Sequence, residues 1–174
     1  MPRRIKHLVI HCTATPAGRE VSADDIRRWH TSPVWAGGRG WKQVGYTDMI
    51  HLDGKIERLV DNNEDAQVDP WEITNGAKGY NSVSRHIVYA GGLDAYGNPC
   101  DTRTPAQREA MARYVRDFHR RFPDVRIVGH RDLSPDLNGD GKITPNEWLK
   151  DCPCFDVAAW LREIGIDQEK EVEQ

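Results

Sequence analysis

His11, His130 and a cysteine from the run Lys150-Asp-Cys152-Pro-Cys154-Phe-Asp156 are the most reactive set of residues in this 174-residue chain. Two imidazoles and one thiolate supply three ligands of a tetrahedral zinc site. They leave the fourth position open, as catalytic zinc requires and structural zinc does not. This donor mixture suits zinc better than magnesium or calcium, which prefer oxygen. The residues alone leave Cys152 and Cys154 competing for the third place. Taken singly, each histidine is also compatible with an ordinary core or surface role. His7, His30, His51, His86 and His119 are read that way. Cys12 follows His11 and would point to the opposite face of a strand, into the core. Cys100 falls in a turn-rich loop.

A second oxygen-rich segment fits a calcium loop of the EF-hand type over 136–147. Side-chain oxygens fall at its first, third and fifth positions, Asp136, Asn138 and Asp140. Gly141 is sixth, Ile143 eighth and Glu147 twelfth. Lys142 would offer its backbone carbonyl, and Thr144 would act directly or through water. Ser134-Pro135 provides no entering helix, and no partner hand exists. The loop lies between His130 and Cys152. Calcium is expected to staple it and so to place Lys150.

Positioning these residues requires rigid elements. Ile5–Ile10 reads as a buried strand that delivers His11 at its tip. Val125–Val128 is a second strand, delivering His130. Val44–Leu52 and Lys55–Val60 read as a hairpin turned at Asp53-Gly54, and His86–Ala90 as another strand. The segment 61–84 lacks periodicity and reads as loop. Ser22 and Asp25 start a helix through His30, with Ile26 and Trp29 inward. Thr104, Pro105 and Gln107 start a longer one, with Met111, Tyr114, Val115 and Phe118 inward and its end at Pro123. Phe155–Ile164 is a final amphipathic helix. After Asp167 the tail is polar, acidic and expected to fray. The fold class is therefore α/β: one domain over 1–174, with a central mixed sheet flanked by helices and the loop 136–147 as an insertion.

Bulk properties exclude several classes. The formal net charge is -3, so no global basic field points to nucleic acid. Arg113, Arg116, Arg120 and Arg121 read as a solvated helix face. No stretch is apolar enough to span a membrane, and the apolar run near Met1 is too short for a signal peptide. Synthesis in the cytoplasm is expected. Four cysteines in this arrangement do not form a disulfide framework.

Val9-Ile-His11-Cys-Thr-Ala-Thr15, Val44-Gly-Tyr46, Gly79-Tyr-Asn81, Gly91-Gly92, Thr104-Pro-Ala-Gln107, Gly129-His130 and Lys150-Asp-Cys152-Pro-Cys-Phe-Asp156 occur in this order. Together they resemble the zinc N-acetylmuramoyl-L-alanine amidases of the phage lysozyme type, relatives of the peptidoglycan recognition proteins. The likeness spans roughly residues 5 to 163. It implies zinc ligands at His11, His130 and Cys152, the cysteine before the proline, and catalytic roles for Tyr46 and Lys150. It also implies hydrolysis of the bond between N-acetylmuramic acid and L-alanine. Zinc would acidify water towards a pKa of about 7 and polarise the carbonyl. Lys150 would face the developing oxyanion and Tyr46 would donate a hydrogen bond.

The implied setting is a monomeric phage or prophage endolysin, made in the cytoplasm without a signal peptide and acting on the cell wall after release. A recycling enzyme acting on muropeptides would use the same chemistry. Two other functions compete: a peptidoglycan-binding module without hydrolysis, and a calcium-dependent interaction domain. Two departures stand out. Phage members often carry a histidine five residues before the Asn of Gly-Tyr-Asn, and here that position is Gly76. Ser84-Arg85-His86-Ile87 also replaces a more apolar strand start; His86 is a candidate to compensate for the absent histidine, but a strand histidine with no role is the better reading.

Overall fold

The apolar run that ends at His11 forms an inner strand of a five-stranded sheet in this computed structural model, which describes residues 1–168. Strand β2 (His7–Cys12) lies between β7 (Ser84–Tyr89) and β9 (Arg126–Gly129), parallel to both. Strand β4 (Asp48–Ile50) runs parallel to β7 and turns back antiparallel into β5 (Ile56–Arg58). The order is β5-β4-β7-β2-β9, a mixed sheet in a single α/β domain. Two minor ribbons pair β1 (Arg3–Arg4) with β6 (Gln67–Val68), and β3 (Thr15–Pro16) with β8 (Gly92–Leu93).

Every residue of β7 is buried, as expected of a parallel strand covered on both faces. One face carries Leu8, Ile10, Ile87, Tyr89 and Ile127. Helices α2 (Pro105–Arg121) and α3 (Val157–Glu163) pack on it through Met111, Val115, Phe118, Trp160 and Leu161. The other face carries Met49 and Val88 and receives Ile26 of α1 (Ala23–Thr31). Both long helices start as the sequence predicts. Ser22 and Asp25 form a capping box, as do Thr104 and Gln107. The buried amide of Gln107 also donates to the carbonyls of Ile50 and Ala90, which ties α2 to the ends of two strands.

Three expectations need correction. The strand predicted over Val44–Leu52 shrinks to Asp48–Ile50. Its first residues bond to a helix side chain and a loop instead of a ladder: Gly45 N–H donates to His30 Nδ1, and the Val44 carbonyl accepts from Asn75 N–H. The segment 61–84 is not all loop, since it holds β6 and short 3-10 turns at Pro70–Glu72 and Asn81–Val83. These elements are too short to leave a periodic signal. The fray expected after Asp167 does not begin at once. The Gln168 amide accepts from Ile127 N–H and donates to Ile127 C=O, covering the open edge of β9. The rest of the acidic tail, from residue 169, lies outside the described residues. Among the described residues, no helix is long and apolar enough to cross a membrane.

Parallel pairing is what assembles the site. Because β2 and β9 run the same way, their carboxyl ends share one edge of the sheet. The register Ile10↔Gly129 sets the next residues, His11 and His130, side by side.

Candidate active site

The His11 and His130 rings lie 4.7 Å apart, centroid to centroid. One ligand atom each from His11, His130 and Cys152 falls within 4.8 Å of the others. His11 Nδ1 is 3.7 Å from Cys152 Sγ. A nitrogen and a sulfur on one tetrahedral zinc ion are separated by about 3.6 Å, from bond lengths of about 2.05 and 2.3 Å. The donor set and the His11–Cys152 spacing therefore fit zinc.

Cys152 is aimed by backbone. The Cys12 N–H donates to its sulfur at 3.2 Å, and Arg131 N–H donates to its carbonyl. The buried Tyr89 hydroxyl donates to the Pro153 carbonyl at 2.6 Å. Gly129 permits the close approach, since a Cβ there would meet Pro153 Cδ at 2.7 Å. Cys154 turns the other way and lies 3.8 Å from Cys12, sulfur to sulfur. The Cys12 thiol is pushed up to about 12, first by its contact with Cys152. Contact with Cys12 and burial also push Cys154 up. Both remain thiols, and neither joins the metal-ligating group.

The imidazoles are held neutral, the state in which they can bind a metal. Burial depresses His11 well below the usual histidine range, and the charges of His86, His130 and Lys150 add to this. Burial, then Lys150, lowers His130 to about 4. Tyr46 lies against His11, ring centroids 5.1 Å apart. Burial raises its phenol, so it stays a hydrogen-bond donor. Lys150 is exposed and borders the same depression as His11, Tyr46, His130 and Cys152. A larger cleft of about 470 Å³ adjoins it, lined in part by Arg39, Trp41, Lys78, His130, Leu149 and Lys150. The five residues expected to form the zinc centre and its catalytic pair thus meet at the foot of one cleft.

His30, beneath Tyr46, predicts how stability follows pH. Its Nδ1 accepts Gly45 N–H, and burial followed by the Arg39 charge lowers it to about 4. The unfolded chain, with a histidine near 6.5, binds this proton first. Metal-free protein should therefore keep this contribution above pH 6.5 and lose it as pH falls towards 4. Denaturant melts from pH 7 to 4 measure the slope, and His30→Gln should flatten it.

His86 is the residue that sequence reasoning undervalued. Read as a strand histidine without a role, it is fully buried and bonds His11 directly, Nδ1 to Nε2, at 2.8 Å. The signal needed was the register Val9↔His86, which puts both histidines on one face of the sheet.

The loop 136–147 stands apart from the cleft. Carboxylate oxygens of Asp136, Asp140 and Glu147 lie within 4.8 Å of one another. No α-helix enters or leaves the loop, only 3-10 turns at His130–Leu133 and Pro145–Glu147. Protein atoms already staple it. The buried Glu147 accepts from Leu137 and Asn138 N–H with one oxygen and from Thr144 with the other. Ser134 Oγ accepts from Leu149 N–H, and Arg131 stacks on Trp148 at 3.8 Å. The Asn138 side chain accepts Asp140 N–H, and Asp140 accepts Lys142 N–H.

The profile of the N-acetylmuramoyl-L-alanine amidase family matches residues 1–147 of the chain. The chain belongs to that family. The match stops just before Lys150 and Cys152, so their placement rests on the geometry above. An endolysin of Enterobacteria phage K11 is 33% identical over 153 residues, 88% of this chain and 83% of the relative. A Haemophilus influenzae protein described as uncharacterized is 50% identical over 90 residues, 52% of this chain and 78% of the relative. Among solved structures, the Ph2119 endolysin from a Thermus scotoductus bacteriophage aligns with a TM-score of 0.63 at 20% identity. That alignment covers 94% of this chain and 87% of the endolysin, and establishes a shared fold.

Proposed function

We propose that this peptidoglycan amidase is a zinc-dependent endolysin that cuts the amide bond between N-acetylmuramic acid and L-alanine. The observation that carries the reading is the convergence of His11, His130 and Cys152 at the foot of an open cleft. Family membership and the phage endolysin relatives support it. His11, His130 and Cys152 would hold the zinc, which when bound supplies a Lewis acid that acidifies water and polarises a carbonyl. Lys150 brings an ammonium to the rim, where it meets negative charge developing on the carbonyl oxygen. Tyr46, kept protonated by burial, donates a hydrogen bond from the other side. Arg39, Trp41 and Leu149 offer the cleft both charge and apolar surface for a glycopeptide. Synthesis in the cytoplasm and action on the wall after release follow from the endolysin role. A purely binding module is less well supported, because it needs neither Tyr46 nor Lys150 beside three metal donors.

The test is mass spectrometry of purified peptidoglycan after digestion. Peptides with a new free L-alanine amino terminus are expected, with glycan strands left intact. Cleaved glycosidic bonds or cut cross-bridges, with muramoyl-alanine links preserved, would overturn the assignment.

A calcium ion in the loop 136–147 is a separate proposal. It would be held by Asp136, Asn138, Asp140, Glu147 and the Lys142 carbonyl. Its support is the spacing of these residues and the approach of the three carboxylates. Because Glu147 already ties the loop together, calcium would add stability rather than create the loop. Adding about 100 Kd of calcium to metal-stripped protein should stabilise it by roughly 2.7 kcal/mol. Asp136→Ala should remove the gain. An unchanged melting temperature with calcium speaks against the site.

A further inference from the structure

The hydrogen bonds around His86 have a direction, and it can be read from the far end. Asn81 Oδ1 accepts Ala77 N–H at 2.8 Å. A backbone N–H only donates, so the atom facing it is the amide oxygen and the side chain is not flipped. That same oxygen lies 3.0 Å from His86 Nε2. An amide oxygen only accepts, so His86 Nε2 carries a hydrogen. His86 is fully buried, where an unpaired charge would be costly, and a neutral imidazole has one N–H. Its Nδ1 is therefore an acceptor. His11 Nε2, 2.8 Å away, must donate to it. That leaves the lone pair of His11 on Nδ1, the atom 3.7 Å from Cys152 Sγ.

Gly76 makes the room for this. A Cβ at residue 76 would lie 2.5 Å from His86 Nδ1, 2.6 Å from its Cγ and 2.7 Å from the Gly45 carbonyl. Gly76 is not among the residues with positive φ, so its backbone does not demand glycine. The His86 ring and the Gly45 carbonyl together exclude a side chain there. The amidases that this chain resembles often carry a histidine at that position, and here strand β7 supplies an imidazole to the same space.

We propose that His86 is a positioning residue of the metal site: anchored by Asn81 and given room by Gly76, it accepts His11 Nε2–H and so presents His11 Nδ1 to the metal. Hydrogen-bond partners of this kind set a ligand's tautomer and ring orientation. The inference rests on the reading of His11 as a zinc ligand.

Two measurements test it. Nitrogen-15 NMR of the metal-free wild-type protein should find His11 hydrogenated on Nε2 and bare on Nδ1. In His86→Ala the two tautomers should mix. Competition with a chromophoric chelator should find zinc bound 10- to 100-fold more weakly by His86→Ala than by wild type, the usual scale for a lost partner of a ligand histidine. A proton on His11 Nδ1 in the wild type, or full zinc affinity in His86→Ala, would overturn the relay. If the wild type itself binds no zinc, the ligand reading falls, while the tautomer spectrum still decides the relay. Should His86→Ala fail to fold, the wild-type spectrum decides it alone.

Discussion

Cys152→Ala should leave a folded protein that neither retains zinc nor releases peptides from peptidoglycan. The side chain is half-buried, and its loop is held by other groups: the Pro153 carbonyl on Tyr89 and the Cys152 carbonyl on Arg131 N–H. Folding does not need the sulfur. The metal does, because two neutral imidazoles alone leave the tetrahedron half empty. The loss of hydrolysis should reach at least about 10³-fold, the scale seen when a central catalytic group is removed. Cys154→Ala is the control. Its sulfur packs against Cys12, away from the donors, so zinc content and hydrolysis should persist. The pair separates the two cysteines that sequence alone left in competition. Zinc retained by Cys152→Ala and lost by Cys154→Ala would reverse the assignment.

Lys150→Ala and Tyr46→Phe should have the opposite signature, with zinc bound normally and turnover lost. Lys150 lies at the rim of the zinc pocket, near enough for its charge to depress both His11 and His130. A cation so placed is available to the oxygen on which negative charge develops. Removing a donor of that kind costs about 10²–10³ in kcat, or roughly 3–4 kcal/mol. Tyr46 lies against His11, and a positioned proton donor contributes about 10²–10⁴. Both effects should fall on kcat with KM little changed, since neither group is needed to hold the ground state. Lys150→Arg should rescue only in part, because a guanidinium keeps the charge but spreads it over a planar fork. Wild-type turnover in both Lys150→Ala and Tyr46→Phe would remove these residues from the chemistry.

Much of this was legible in the sequence, for reasons that differ by element. The β2 run and the α2 cap carry strong local signals: a continuous apolar stretch and a Thr-Pro-Ala-Gln start. Both survive folding because tertiary packing reinforces them. The ligands could be proposed because two strand tips ended in histidine. Their meeting depends on β2 and β9 being parallel, which no local pattern encodes. The role of His86 was hidden for the same reason. Its partner lies 75 residues away, and only the register between β2 and β7 sets the two rings on one face. Val44 and Gly45 misled because the strand pattern they begin is overridden by bonds to His30 and Asn75. The calcium-type loop had a clear spacing, yet spacing could not reveal that Glu147 bonds backbone at both ends of the loop.

The most direct measurement is metal content against activity during a back-titration. The protein is stripped with a chelator, assayed on purified peptidoglycan, and then returned to zinc in fractions of an equivalent. Hydrolysis should vanish on stripping, rise in proportion to zinc and level off at one ion per chain, with Cys152→Ala giving no recovery. Undiminished release of peptides by the metal-free protein would contradict the account.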